Sequence, residues 1–211
     1  IHDQVPEAVR ANPERYPGGK RIRTPEHLRA GFQDWFGFEC INNPFNSSIY
    51  EGNAEVPTVL EGYQTDALTD RVIDYLRTYG QEEPLFLVLS IEPPHFPLFA
   101  PERFERFDPA QLQVRPNFID RPNPSGGAPL PNPWEQMRHP IHDHSNDMRQ
   151  HLAQYYAMIE NLDWNMDRLM EEMAQIPRFA SERTLTVYIS DHGDFMGSHG
   201  LHDRKEHPHE E

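Results

Sequence analysis

Apolar positions are spread unevenly along the chain. Residues 1–63 show no sustained period and are broken by Pro, Gly and Asn; only the aromatic cluster GFQDWFGFE at 31–39 stands out. That pattern predicts a loop-rich region packed on a larger body. From 64 to 95 the pattern sharpens into a helix followed by a strand. In TDALTDRVIDYLRTYG, Leu68, Val72, Tyr75, Leu76 and Tyr79 fall at i, i+4, i+7, i+8 and i+11. This is the period of an amphipathic helix, started near Thr65 and stopped by Gly80. PLFLVLSIEPPHFP then carries an apolar run over 85–91, interrupted only by Ser90 and ended by prolines. A run without alternation predicts a strand buried on both faces, as in a parallel sheet.

Twelve of the 21 prolines fall between 93 and 140, together with PSGGAPLPNP. The stretch 96–144 is therefore expected to be an irregular, Pro-rich excursion over the surface. From 145 to 211 order returns. A long helix is predicted from about Ser145 to Gln175, with Leu152, Tyr155, Tyr156, Ile159, Leu162, Met166, Leu169 and Met173 as its apolar stripe and Pro177 beyond its end. TLTVYIS at 184–190 predicts a second short buried strand. Helix, strand, excursion, helix, strand is the order of an α/β fold, a mostly parallel sheet covered by helices. In such sheets ligands bind beyond the carboxyl ends of the strands, and both predicted strands end in chemistry: EPPHFP after the first, DHGD after the second.

Length and charge narrow the function. One domain is the default expectation for 211 residues. The formal net charge of −15 argues against nucleic-acid or anionic-membrane partners, which need a basic face. No apolar run approaches the ~18 residues of a membrane span, and IHDQVPEAVR is not a secretory signal. There is no initiator methionine, so Ile1 is not expected to be the first residue of the gene product. A single cysteine, Cys40, excludes an internal disulfide framework.

The densest chemistry is SDHGDFMGSHGLHDRKEH at 190–207. Asp191 and His192 are adjacent, so a turn at Gly193 is needed to aim both at one ion. A carboxylate suits Ca²⁺ or Mg²⁺, while an imidazole tilts the preference toward zinc or manganese. The bland alternative is a turn with a capping aspartate. Lys205 lies fourteen residues after Asp191 and reads as either an anion-binding ammonium or a solvated surface lysine. His95 is held between prolines in PPHFP, a stiff setting that suits an acid or anion-binding imidazole as well as a structural one. His139, His142, His144 and His151 have no zinc-finger or HExxH spacing; His142 and His144, at the end of the Pro-rich excursion, read as a substrate-facing or solvated loop. His199 and His202 line or support the signature loop, and His207 and His209 read as surface residues.

Taken together these segments carry a resemblance. SDHGDFMGSHGLHDRKEHPHEE resembles the second signature of the type I sulfatases, in the alkaline-phosphatase superfamily. PLFLVLSIEPPHFPLFAPERF resembles their strand and Pro-His segment, and EGYQTDALTDRVIDYL and YYAMIENLDWNMDRLMEEM resemble the flanking helices. The resemblance implies an alkaline-phosphatase-like α/β fold and hydrolysis of sulfate esters. Asp191 and His192 would ligate a divalent metal, usually calcium, with Mg²⁺ or Mn²⁺ as alternatives. Lys205 would bind the sulfate, His95 would contact it near the leaving oxygen and help to protonate the departing alcohol, and His199 would face substrate.

The family's formylglycine nucleophile arises from a Cys/Ser-x-Pro/Ala-Ser-Arg motif, which the chain lacks; Cys40 stands in ECINNPF. The upstream aspartates of the metal site are absent too. The expectation is therefore an internal portion of a sulfatase catalytic domain, inactive by itself, with the formylglycine outside this chain. Its substrate would be a sulfated small molecule or polysaccharide, and family habit favours an exported enzyme. A phosphodiester or phosphonate monoester hydrolase of the same superfamily, and a non-catalytic homologue that binds sulfated ligands, remain open.

Overall fold

The structure, a computed structural model, describes residues 23–37, 44–45, 47–118 and 145–198, with backbone only for 145–147. The chain divides into two compact units: Ile1–Pro93 with Asn161–Arg183, and Pro94–Glu160 with Thr184–Glu211.

In the first unit the loop-rich start holds a small sheet that the hydrophobic pattern did not single out. Strands β1 (Phe36–Gly37), β2 (Ser48–Glu51) and β3 (Thr58–Val59) lie in that order. Both pairings are antiparallel, Phe36 opposite Glu51 and Ser48 opposite Val59. Ile49 and Tyr63 are almost fully buried, and Phe45 meets the Tyr63 ring edge-on at 5.1 Å. Buried Arg29 fastens the preceding turns by donating to the carbonyls of Thr24 and Gly52, each at 2.8 Å. So short a sheet leaves little alternation to read, which is why its sequence looks like loop.

Helix α1 spans Gln64–Thr78 and helix α2 spans Ser145–Gln175, close to the extents their periodicity predicts. The faces differ from the prediction. The deeply buried positions of α1 are Gln64, Thr65, Thr69, Ile73 and Leu76, whereas Leu68, Val72 and Tyr75 are half-buried. In α2, Tyr156 and Ile159 are exposed, while Asn161 and Asn165 are buried. Several of these polar side chains are hydrogen-bonded inside, although Thr65 Oγ1 and Asn161 Oδ1 have no hydrogen-bond partner among the described residues. Asp66 Oδ1 accepts from Asn161 Nδ2 and Asn165 Nδ2, both at 2.7 Å, and the Thr69 hydroxyl donates to the Thr65 carbonyl at 2.8 Å. The apolar core of this unit joins Ile73, Leu76, Leu169 and Phe179, with Leu85, Leu87 and Leu89 against it.

Residues 85–91 are extended, but they do not form the expected strand buried on both faces. Leu85, Leu87 and Leu89 pack inward, whereas Phe86 and Val88 are 78% and 59% exposed. In the second unit, 184–190 likewise forms no strand, with Leu185 at 88% and Ile189 at 81% exposure. Neither segment has a ladder partner among the described residues. A strand exists only where a neighbouring strand satisfies its N–H and C=O groups, so an apolar run alone does not make one.

The described part of the Pro-rich excursion, 96–118, contains 3-10 turns at Glu102–Phe104 and Pro109–Gln111. It packs on the part of α2 in the same unit: Ala100 and Phe104 against Ala157 and Met158. Ala100 N–H donates to Gln154 Oε1 at 3.1 Å and Arg149 Nε to the Leu112 carbonyl at 2.9 Å. A second cluster joins Met148 and Leu152 to Met196. No helix among the described residues is long and apolar enough to cross a membrane.

Candidate metal and anion site

Asp191 and His192 follow directly on the 184–190 segment in the second unit. Three local hydrogen bonds shape the turn. The Ser190 hydroxyl donates to the His192 carbonyl at 2.6 Å, and the His192 N–H donates to Asp191 Oδ1 at 3.0 Å. His192 Nδ1 lies 2.7 Å from the Gly193 carbonyl oxygen. A ring nitrogen that close to a carbonyl must donate, so Nδ1 carries the hydrogen and the neutral ring has its lone pair on Nε2. That Nε2 is 3.6 Å from Asp191 Oδ2. Two electron-pair donors are thus held side by side, a spacing that suits two ligands of one cation. Asp191 is largely exposed, its side chain at 88% against 36% for His192. No third His, Cys, Asp or Glu completes a metal-holding group among the described residues.

His95 is exposed, in the turn that follows Pro94. Its Nδ1 stands 2.6 Å from the Phe96 carbonyl, which by the same argument puts the hydrogen on Nδ1 and the lone pair on Nε2. Lys205 and His199 lie outside the described residues, as do Cys40, His139, His142, His144, His202, His207 and His209. His151 is buried on α2.

Beyond the pair, the loop is tucked into the protein. Phe195 and Met196 are buried, and Asp194 Oδ1 accepts from the Met196 N–H at 2.9 Å. Asn117 Nδ2 donates to Ser198 Oγ at 2.8 Å, and Phe118 and Ser198 form an antiparallel bridge. Tyr155 packs on this cluster; burial, followed by the nearby Asp194 carboxylate, pushes its hydroxyl pKa up while Arg115 opposes the shift. In the first unit, desolvation raises the Glu92 carboxyl to about 7 against the opposing hydrogen bond from Gln64. Sequence reading did not single out Asn117, Ser198 or Glu92; Ser198 and Glu92 lie inside quoted motifs, but nothing local marks their partners.

The Sulfatase family profile matches residues 13–211, and the chain belongs to the sulfatase family. It is 28% identical over 182 residues to the ulvan-active sulfatase of Formosa agariphila, covering 84% of this chain and 31% of that protein. It is 21% identical over 210 residues to the endo-4-O-sulfatase of Bacteroides thetaiotaomicron, covering 95% of this chain and 37% of that protein. The chain thus spans about a third of the length of these relatives. Among solved structures, yidJ of Bacteroides fragilis, assigned to the sulfatases, superposes with a TM-score of 0.65 at 23% identity, over 83% of this chain and 35% of that one. The fold is accordingly a partial piece of the alkaline-phosphatase-like α/β architecture.

Proposed function

We propose that the complete protein hydrolyses sulfate esters, using a divalent cation held in part by Asp191 and His192 and a formylglycine nucleophile supplied from outside residues 1–211. The observation that carries this reading is the pairing of His192 Nε2 and Asp191 Oδ2 at 3.6 Å, in a chain that matches the sulfatases over residues 13–211. Calcium is the metal that the resemblance favours, with Mg²⁺ or Mn²⁺ as alternatives. A bound cation would supply Lewis-acid stabilisation of charge on the sulfate oxygens.

The chain's own groups have distinct tasks. His192 is oriented by the Gly193 carbonyl so that Nε2, not Nδ1, is offered as ligand. His95 is oriented by the Phe96 carbonyl, and in its protonated form Nε2 would donate to the leaving oxygen and pass its proton to the departing alcohol. Lys205 would pair with the sulfate as a point charge, and His199 would bind substrate beside it. Sulfated polysaccharides and small aryl or alkyl sulfates are both substrate candidates. Residues 1–211 alone are expected not to turn over.

The test uses the complete protein. His95→Ala and Lys205→Ala should each lower aryl-sulfate turnover by about 10²-fold or more with circular dichroism unchanged. Near-wild-type rates in both would sink the site assignment. Faster turnover of an aryl phosphodiester than of an aryl sulfate would replace a sulfatase by a phosphodiesterase.

A further inference from the structure

We infer that Asn117 is a positioning residue: by bonding Ser198 it anchors the far end of the loop that follows Asp191–His192, and so governs how tightly that pair holds a divalent cation. The inference rests on the metal-binding part of the function proposed above.

The loop is conformationally costly. Met196 has φ 37° and Gly197 φ 94°, two successive left-handed residues, of which the first is not glycine. Such a backbone persists only where its surroundings hold it. The holding groups are on the page. Met196 is 5% exposed and packs with Met148 and Leu152. A Cβ on Gly197 would stand 3.1 Å from Met148 Cγ and 3.2 Å from Phe118 Cδ2, so the glycine is seated against both. Ser198 N–H donates back to the Phe195 carbonyl at 2.8 Å. Its hydroxyl accepts from Asn117 Nδ2 at 2.8 Å across a sequence separation of 81, and Phe118 bridges the same residue through the backbone.

The near end of this loop is Gly193, whose carbonyl fixes the His192 ring at 2.7 Å. A group that orients a metal-binding histidine sets the metal's affinity even though it never touches the ion. Loosening Ser198 frees Met196 and Gly197 to relax, moves the Gly193 carbonyl, and lets Nε2 swing away from Asp191 Oδ2. Asn117 reaches this point from the end of the described Pro-rich segment, so an excursion that looks like surface padding acts on the metal ligands.

The experiment is calcium titration by isothermal calorimetry on the complete protein, stripped with chelator and refolded to native circular dichroism. Asn117→Ala and Ser198→Ala should each weaken calcium binding about tenfold, the lower end for an orienting partner. The double variant should be no weaker than either single one, because the two act through one bond. Ser198→Thr keeps the hydroxyl and should bind as the wild type does. A role in stability alone would lower the melting temperature and leave calcium affinity where it was, and that result overturns the inference. Additive losses in the double variant also overturn it. Asp191→Asn separates the two levels: if it leaves calcium binding intact, the functional reading itself fails. If Asp191→Asn abolishes binding while Asn117→Ala does not weaken it, only the positioning role falls.

Discussion

Replacing Asp66 with alanine would strip the acceptor from two amide groups that have almost no access to water. Asn161 is 0% and Asn165 1% exposed, and both donate to Asp66 Oδ1 at 2.7 Å. A hydrogen bond to a charged acceptor contributes about 1.5–3 kcal/mol net, and a buried donor left unpaired forfeits its full desolvation cost. Asn165 keeps a second acceptor, the Asn161 carbonyl at 2.9 Å, so its share lies at the low end. The expected loss for Asp66→Ala is about 3–4 kcal/mol. Asp66→Asn keeps a carbonyl oxygen in place and forgoes only the charge, for about 1 kcal/mol. Urea denaturation followed by tryptophan fluorescence reads both numbers, because Trp35 and Trp164 lie in the same unit as Asp66. Unchanged m-values with a shifted midpoint would assign the change to stability. A loss below about 1 kcal/mol for alanine, or equal losses for alanine and asparagine, would refute the claim that the carboxylate secures these amides.

Gly197→Ala forces a Cβ onto a φ of 94° and to within 3.1 Å of Met148 Cγ; about 2 kcal/mol of destabilisation is expected, and a calorimetric melting temperature equal to wild type would show that the left-handed turn is not fixed. Glu92 has its carboxyl raised from 4.5 to about 7 by burial, so the native state favours the protonated acid. Its contribution to stability is fully present below about pH 4.5 and is lost as pH rises through about 7. Denaturation midpoints measured from pH 4 to pH 8 should therefore fall less steeply in Glu92→Gln, and identical profiles would remove Glu92 as the cause.

The sequence by itself determined the two helices. Helix extent is a local property: Leu76 and Leu169 recur on a period that any reader of the chain sees, and the structure ends α1 at Thr78 and α2 at Gln175. Local signals also singled out Asp191, His192 and His95 as candidates, because each stands in a short motif flanked by Gly or Pro. Only tertiary structure decided which helix face is inside. Asn161 and Asn165 look solvent-facing by type, and their burial depends on Asp66, which lies 95 and 99 residues from them. The same holds for Ser198, whose partner Asn117 is 81 residues away. Strand formation is the clearest case: 85–91 and 184–190 carry the apolar runs of buried strands, yet neither forms a ladder among the described residues. Periodicity is written in neighbouring residues, whereas a buried polar group or a strand is stabilised by whatever the fold brings from elsewhere in the chain, and no local pattern encodes that partner.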